Sequence, residues 1–164
     1  MNGKTPGLRT IAFTSPAGFL AVGFGSGLAP FAPGTAGTLA AIPLGMLLLM
    51  LPTYWQWLSV GLAFVLGIWI CQRASDELGV HDHGGIVWDE MVGYWLVLIF
   101  MPATVTGFAA AFVLFRFFDI VKPWPIRWFD RKLKGGLGIM LDDVLAALFA
   151  LLTWLLIGRI LQSI

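Results

Sequence analysis

Charge is what this 164-residue chain has least of: Asp, Glu, Lys and Arg make up 12% of it, against 59% hydrophobic residues. A soluble domain of this size carries about a quarter charged residues to cover its surface, so the composition specifies an integral membrane protein. Cysteine is nearly absent. Cys71 stands alone in an apolar run, which excludes an intrachain disulfide and a cysteine metal cage and leaves it a packing role. His81 and His83 are the only two histidines; residues two apart do not face the same side of a helix, and with no further histidine haem is excluded. The net charge of +1 comes with no recognition motif, so no nucleic-acid role is expected. Also missing are a Walker A lysine, a GxSxG elbow, a cysteine followed five residues later by arginine, and DxDxT. These absences remove a nucleotide loop and the familiar covalent phosphatase nucleophiles.

What charge there is lies in two islands. Arg116 to Asp143 holds ten of the nineteen formal charges, with Arg116 and Asp119 interrupting an apolar stretch, a placement expensive in lipid and functional by default. Gln72 to Glu90 holds five of the nine acids and both histidines. Between and around them run apolar segments: about Ala36 to Leu51, closed by Pro52; Tyr54 to Cys71, with Tyr54, Trp55 and Trp57 at an interfacial belt; Ile86 to Leu114, divided at Pro102 to Gly107; and about Ile139 to Ile160. Ala17 to Thr38 is too rich in glycine and proline for a long helix and reads as a structured loop or broken helix. Residues 1–16 read as a cytoplasmic tail or short interfacial segment. Lys4 and Arg9 precede an apolar stretch as in a signal peptide, but Pro6, Pro16 and the glycines break it up, so the segment is expected to be retained.

The expected fold is therefore all-α: one domain, 1–164, a polytopic membrane helical bundle of about five short or broken transmembrane segments. A hairpin at Pro102 brings both islands to one membrane face and leaves the other face with uncharged connections. The basic residues at 4, 9, 73 and 116 to 134 assign the charged face to the cytoplasm.

Three constellations can carry chemistry. Arg116, Asp119 and Lys122 recur every third residue and share a helix face until Pro123 stops the helix; the bland alternative is a self-neutralised interfacial cluster with snorkelling side chains. Asp89 and Glu90 are expected to open the third span, and Asp142 and Asp143 the fifth, directly after KGGLGIM. Either pair alone would be ordinary first-turn acids. Both pairs with Asp119 put five carboxylates at one face, where they repel one another unless a cation or protons neutralise them, and Mg²⁺ is the matching hard ion. Asp89, Glu90, Asp119, Asp142 and Asp143 are thus candidate metal ligands. Lys122, Arg127 and Arg116 beside them make a site for a phosphate ester. Gly34 and Thr35, just before an expected helix start, suit either an anion nest or close helix packing. By elimination a metal-held water attacks phosphorus, with an aspartate (Asp89 or Asp119) or His81 as base; an aspartyl-phosphate intermediate stays open. In the His81-Asp82-His83 run, a surface loop capped by Asp82 competes with a general acid, base or metal ligand.

Taken together, GFGSGLAPFAPGT, GVHDHGGIVWDEMVG, FRFFDIVKPWPIRWFDR and GGLGIMLDDVLA, in that order over about Ala17 to Ile164, closely resemble the phosphatidylglycerophosphatase A family of bacterial inner membranes. The resemblance implies a multi-pass, Mg²⁺-dependent lipid phosphatase that removes the terminal phosphate of phosphatidylglycerophosphate, leaving phosphatidylglycerol in the bilayer. On that substrate Lys122 is expected at the transferred phosphoryl group and Arg127 at the uncleaved part of the lipid. A transporter or proton channel using the Arg116/Asp119 pair is the alternative from another class, though polar residues at other depths are few (Thr104, Thr106, Thr153). A phosphotransferase joining alcohols to nucleotide-linked lipids lacks its aspartate pattern here.

Overall fold

The computed structural model describes residues 6–162, and among these every regular element is helical. Lys4 lies outside the described residues. Two short helices, α1 (Leu8–Thr14) and α2 (Pro16–Ala21), meet at Ser15, whose hydroxyl accepts from the Gly18 amide and caps α2. Burial of Ile11 and Ala12 ties α1 to the core, so this part of the expected tail is a packed helix. A 3-10 segment, Gly23–Leu28, follows, broken by left-handed backbone at Phe24 and Gly25. This matches the broken helix expected from its glycines.

Helix α3 (Pro33–Leu49) begins on Pro33, whose fixed φ suits a first helical turn. Helix α4 (Thr53–Leu78) runs well beyond Cys71, where the apolar run ends. Hydropathy stops at a membrane edge, but a helix stops only at a breaker. Arg73 pairs with Glu77 at 2.6 Å and Gln72 with Asp76 at 2.8 Å along the polar extension, and Gly79 ends it in the left-handed region.

Helix α5 (Trp88–Leu98) and helix α6 (Val105–Val121) flank the break at Pro102, as expected, and Thr104 caps α6 through its hydroxyl. At 11 residues, α5 rises only about 16 Å and cannot cross a core of roughly 30 Å by itself. Nine of its residues, from Trp88 to Leu98, are buried. It is apolar all round because protein surrounds it: α3, α4, α6 and α8 all pack on it. The expected third span is therefore a central half-length helix.

After α7 (Ile126–Lys132) comes α8 (Gly135–Gln162), which starts before the expected Ile139. Its first N–H groups are capped by distant side chains: the Gly135 amide donates to His81 Nε2 and the Gly136 amide to Gln72 Oε1, both at 2.8 Å. Gly136 lies flush on the backbone of α4 at Ile68 and Gln72, an approach that any Cβ would block.

Thr53–Leu78 and Gly135–Leu161 are long and apolar enough to cross a bilayer. Large apolar side chains face outward on α3, α4, α6 and α8, among them Leu47, Val65, Val113 and Leu152. That outer surface suits hydrocarbon and would be a liability in water.

Candidate active site

The charged islands meet at one end of the bundle, in a cavity of about 260 Å³. Asp82, Asp89, Glu90, Asp119, Asp142 and Asp143 line it together with Arg116 and Lys122, six carboxylates against two cations. The α5–α6 hairpin produces this meeting, since it returns the end of α6 to the start of α5, and α8 supplies the last two acids.

Each acid arrives differently. Asp89 and Glu90 occupy the first turn of α5, as expected. Asp119 sits one turn below Arg116 on α6, which ends at Val121; Lys122 follows in a left-handed conformation and turns its side chain back over the pocket. Asp142 and Asp143 do not open α8, as the sequence suggests they should; they lie about two turns inside it. Gly136 and Gly138 are helical because α4 and Gln72 hold the start of the helix in place, while Gly135, at positive φ, leads into it with its amide on His81. That removes the capping explanation for Asp142 and Asp143, since no orphan N–H is within their reach at that depth.

Ion pairs stitch the pocket. Arg116 meets Asp119 at 2.5 Å and Glu90 at 3.2 Å. Lys122 pairs with Asp142 and, at 3.0 Å, with Asp130. Burial pulls the Lys122 pKa down, but Asp142 and Asp130 more than reverse it and keep the ammonium charged. At the rim, partial burial raises the Asp82 carboxyl above the usual range; Lys122 draws it down, and Asp130 and Asp119 push it further up.

The cations do not satisfy every acid. Asp89 Oδ1, Glu90 Oε2, Asp142 Oδ1 and Asp143 Oδ2 are buried without a hydrogen-bond partner in the protein. Buried carboxylate oxygens in that condition cost several kcal/mol in all, about 1–3 each, and a fold stabilised by packing alone would not keep them. They are hard donors of the kind Mg²⁺ takes. As placed, the side chains do not yet form a cage: among the described residues no three His, Cys, Asp or Glu are so arranged that they could hold one ion. Arg116 and Lys122 stand between the acids instead.

Other candidates lie at the rim of the pocket or outside it. His81 does not line the pocket; it is exposed and spends Nε2 on α8. Its neighbour Asp82 takes the rim position, so of the His81-Asp82-His83 run it is the aspartate that reaches the pocket. Arg127 also lies outside, in an adjoining groove, with Nη2 donating to the Val121 carbonyl at 3.2 Å. Gly34 and Thr35 fall within the first turn of α3 rather than before it. Gly34 is pressed against the Glu90 carboxylate, where a Cβ would collide with Oε1, so its role is to admit an acid of the pocket rather than a ligand. Asp130, not singled out by its sequence neighbourhood, shares Lys122 with Asp142.

An apolar-sided helical bundle with its acids drawn into one terminal pocket defines a class: helical proteins whose outer surface suits a lipid environment and whose polar site lies at one end of the bundle. Within that class, the family described as Phosphatidylglycerophosphatase A matches residues 19–158. The chain belongs to this phosphatase family. It is 48% identical over 141 residues to the phosphatidylglycerophosphatase A of Escherichia coli, covering 85% of this chain and 82% of that one. With the protein of the same name from Haemophilus influenzae it shares 52% over 147 residues, 88% and 90% of the two chains. A relative from Bacteroides thetaiotaomicron, provisionally named a phosphatidylinositol-3-phosphatase, is 42% identical over 139 residues, 80% of this chain and 86% of its own. No solved structure matches.

Proposed function

We propose that the chain hydrolyses the terminal phosphomonoester of phosphatidylglycerophosphate, releasing phosphate and leaving phosphatidylglycerol in the membrane, with Mg²⁺ as cofactor. The observation that carries this reading is the set of buried, unpartnered carboxylate oxygens on Asp89, Glu90, Asp142 and Asp143 beside Arg116 and Lys122. Those acids, with Asp119, are the residues that would hold the ion, which supplies Lewis-acid stabilisation of phosphoryl charge. Lys122 remains charged and reaches the transferred group. Asp82, with its raised proton affinity, takes a proton from the attacking water. Water oxygen bonds to phosphorus, the phosphorus–oxygen bond to glycerol breaks, the glycerol oxygen leaves as a hydroxyl after taking a proton from solvent, and Asp82 returns its own proton to solvent. Asp119, fixed by Arg116, holds that guanidinium towards the phosphate oxygens.

The names of the relatives support a phosphomonoester on a glycerophospholipid headgroup, and the glycerol-linked headgroup is favoured because two of them bear that name at about half identity. We place α3, α4, α5–α6 and α8 in a bacterial inner membrane with the pocket facing the cytoplasm, the basic residues around it being the motive. Ion transport through Arg116 and Asp119 is disfavoured, because these residues pair within a terminal pocket.

Phosphate release from phosphatidylglycerophosphate by purified protein in detergent, across a Mg²⁺ titration, tests the reaction. Turnover that vanishes with chelator and returns with Mg²⁺ is expected; ion flux in vesicles without hydrolysis would overturn it. For orientation, a cysteine at Val80 should resist a membrane-impermeant reagent in intact cells while one at Val105 reacts, both side chains being exposed.

A further inference from the structure

Beside the acidic pocket lies a groove of opposite character. Its cavity is about 480 Å³, and Lys122, Arg127, Arg131 and Lys132 line it with Trp124 and Trp128 and no acid. Lys122 belongs to both cavities. We infer that this groove binds the second, uncleaved phosphate of a two-phosphate lipid headgroup and so selects the substrate; the inference rests on reading the neighbouring pocket as a phosphomonoesterase site.

Charge decides where each phosphate can go. The pocket gathers six carboxylates around two cations, which already neutralise part of it. A monoester can enter such a site only with cationic help, and a second anionic phosphate in the same space would meet an excess of negative charge. The groove offers that second phosphate what the pocket lacks. Arg127, Arg131 and Lys132 take part in none of the ion pairs among the described residues. Arg127 and Arg131 are four apart on α7 and share a face, one turn from each other. Arg127 is anchored by its bond to the Val121 carbonyl, which leaves the rest of its guanidinium fork available.

The aromatic residues set the depth. Trp124 is 81% exposed and Trp128 47%, and such amphipathic rings settle at the headgroup level of a bilayer. Lys132 lies 4.8 Å from the Trp128 ring centre, which holds its ammonium at that level. Buried Ile126 pins α7 to the bundle, so the groove keeps a fixed position beside the pocket. A lipid whose phosphates are a glycerol bridge apart would set its monoester in the pocket and its diester in the groove, with Lys122 between them. Unselective attraction of a basic surface to anionic lipid is the rival account.

The test compares phosphatidylglycerophosphate with phosphatidic acid, which has the monoester but no second phosphate, in neutral detergent micelles. Arg131→Ala and the Arg131→Ala/Lys132→Ala pair should lower kcat/KM on phosphatidylglycerophosphate about tenfold through KM, the order expected for one lost charge-assisted hydrogen bond. Activity on phosphatidic acid should be unchanged, and Arg131→Lys should restore part of the loss. Equal loss on both lipids, or none on either, would overturn the inference while leaving the phosphatase reading intact. Binding supplies a readout independent of turnover: phosphatidylglycerol, titrated against phosphatidylcholine in the same micelles, should bind the double variant about tenfold more weakly than the parent. Unchanged binding would refute the groove as a diester site whatever the enzyme hydrolyses.

Discussion

The two ends of the helical bundle satisfy their polar groups by different means. At the end bearing the α3–α4 and α5–α6 turns, the contacts are local: the Gln56 amide donates to the Leu51 carbonyl at 2.8 Å, and the Thr104 hydroxyl caps α6 through the Gly107 amide at 3.1 Å. Deeper on that side the Tyr94 hydroxyl donates to the Phe108 carbonyl, 14 residues on, at 3.5 Å. At the pocket end the partners come from far along the chain, His81 to Gly135, Gln72 to Gly136, Lys122 to Asp142, and several buried carboxylate oxygens find none. One end closes the fold, and the other holds charge in a condition that only chemistry explains. Substitutions at the two ends should therefore separate activity from stability.

The largest effect is expected at Asp89 and Asp143, buried acids whose orphaned oxygens do nothing evident for the fold. Asp89→Asn and Asp143→Asn should each lower kcat on the order of 100-fold or more, the scale of removing an electrostatic group that acts on the transition state. Thermal unfolding in detergent should show the variants as stable as the parent or more so, because neutralising an uncompensated buried charge relieves a desolvation cost. A large fall in Tm with activity retained would reverse the comparison and make these acids structural.

Gly136→Ala tests how the pocket end is held. The added methyl would meet the Ile68 carbonyl and the Gln72 amide nitrogen, both backbone, so neither can swing aside. Overpacking of this kind costs roughly 1–3 kcal/mol, and the displaced start of α8 should carry Asp142 and Asp143 with it. Tm and kcat should fall together, unlike in the aspartate variants.

These residues also show what the sequence reveals and what it does not. The hairpin at Pro102, the broken segment before Pro33, and the gathering of Asp89, Glu90, Asp119, Asp142 and Asp143 follow from local punctuation and from the cost of placing charge in lipid, both of which are written along the chain. The extension of α4 to Leu78 is written locally, in its i,i+4 pairs and in Gly79, but lies beyond the end of the apolar run; the helical state of Gly136 and the role of His81 depend on contacts 64 and 54 residues apart in sequence, which local pattern does not carry. The short α5 was legible as apolar, but whether lipid or protein covers an apolar helix is decided by its neighbours. Asp82 had a weaker signal: the acid in a His-Asp-His loop was visible, and only the fold turns it, rather than either histidine, to the pocket.

A smaller effect is expected at the other end. Thr104→Ala removes the cap of α6 and should lower stability by about 1 kcal/mol, while kcat stays within about twofold of the parent, since the cap touches nothing in the pocket. Denaturant unfolding alongside phosphate release checks this. A comparable loss of activity would show that the turn transmits strain along α6 to Asp119 and would break the separation of the two ends.

The smallest effect on stability concerns Asp82 and is visible only against pH. Burial raises its carboxyl pKa in the fold, so the ionised form is disfavoured there. An acid raised on folding costs nothing below its unfolded pKa, where it is neutral in both states, and its cost is complete above the folded value. Asp82→Asn should therefore match the parent in Tm near pH 3 and exceed it near pH 8, the gain developing upward from the ordinary carboxylate range. The side chain reaches solvent, so screening should keep the gain to a few tenths of a kcal/mol. The same variant should lose turnover most clearly at neutral pH, where the aspartate would be taking up a proton. A Tm difference that shrank as pH rose would mean that Asp82 is stabilised by Lys122 rather than strained by its acidic neighbours, and would move it from the chemistry to the ion-pair network.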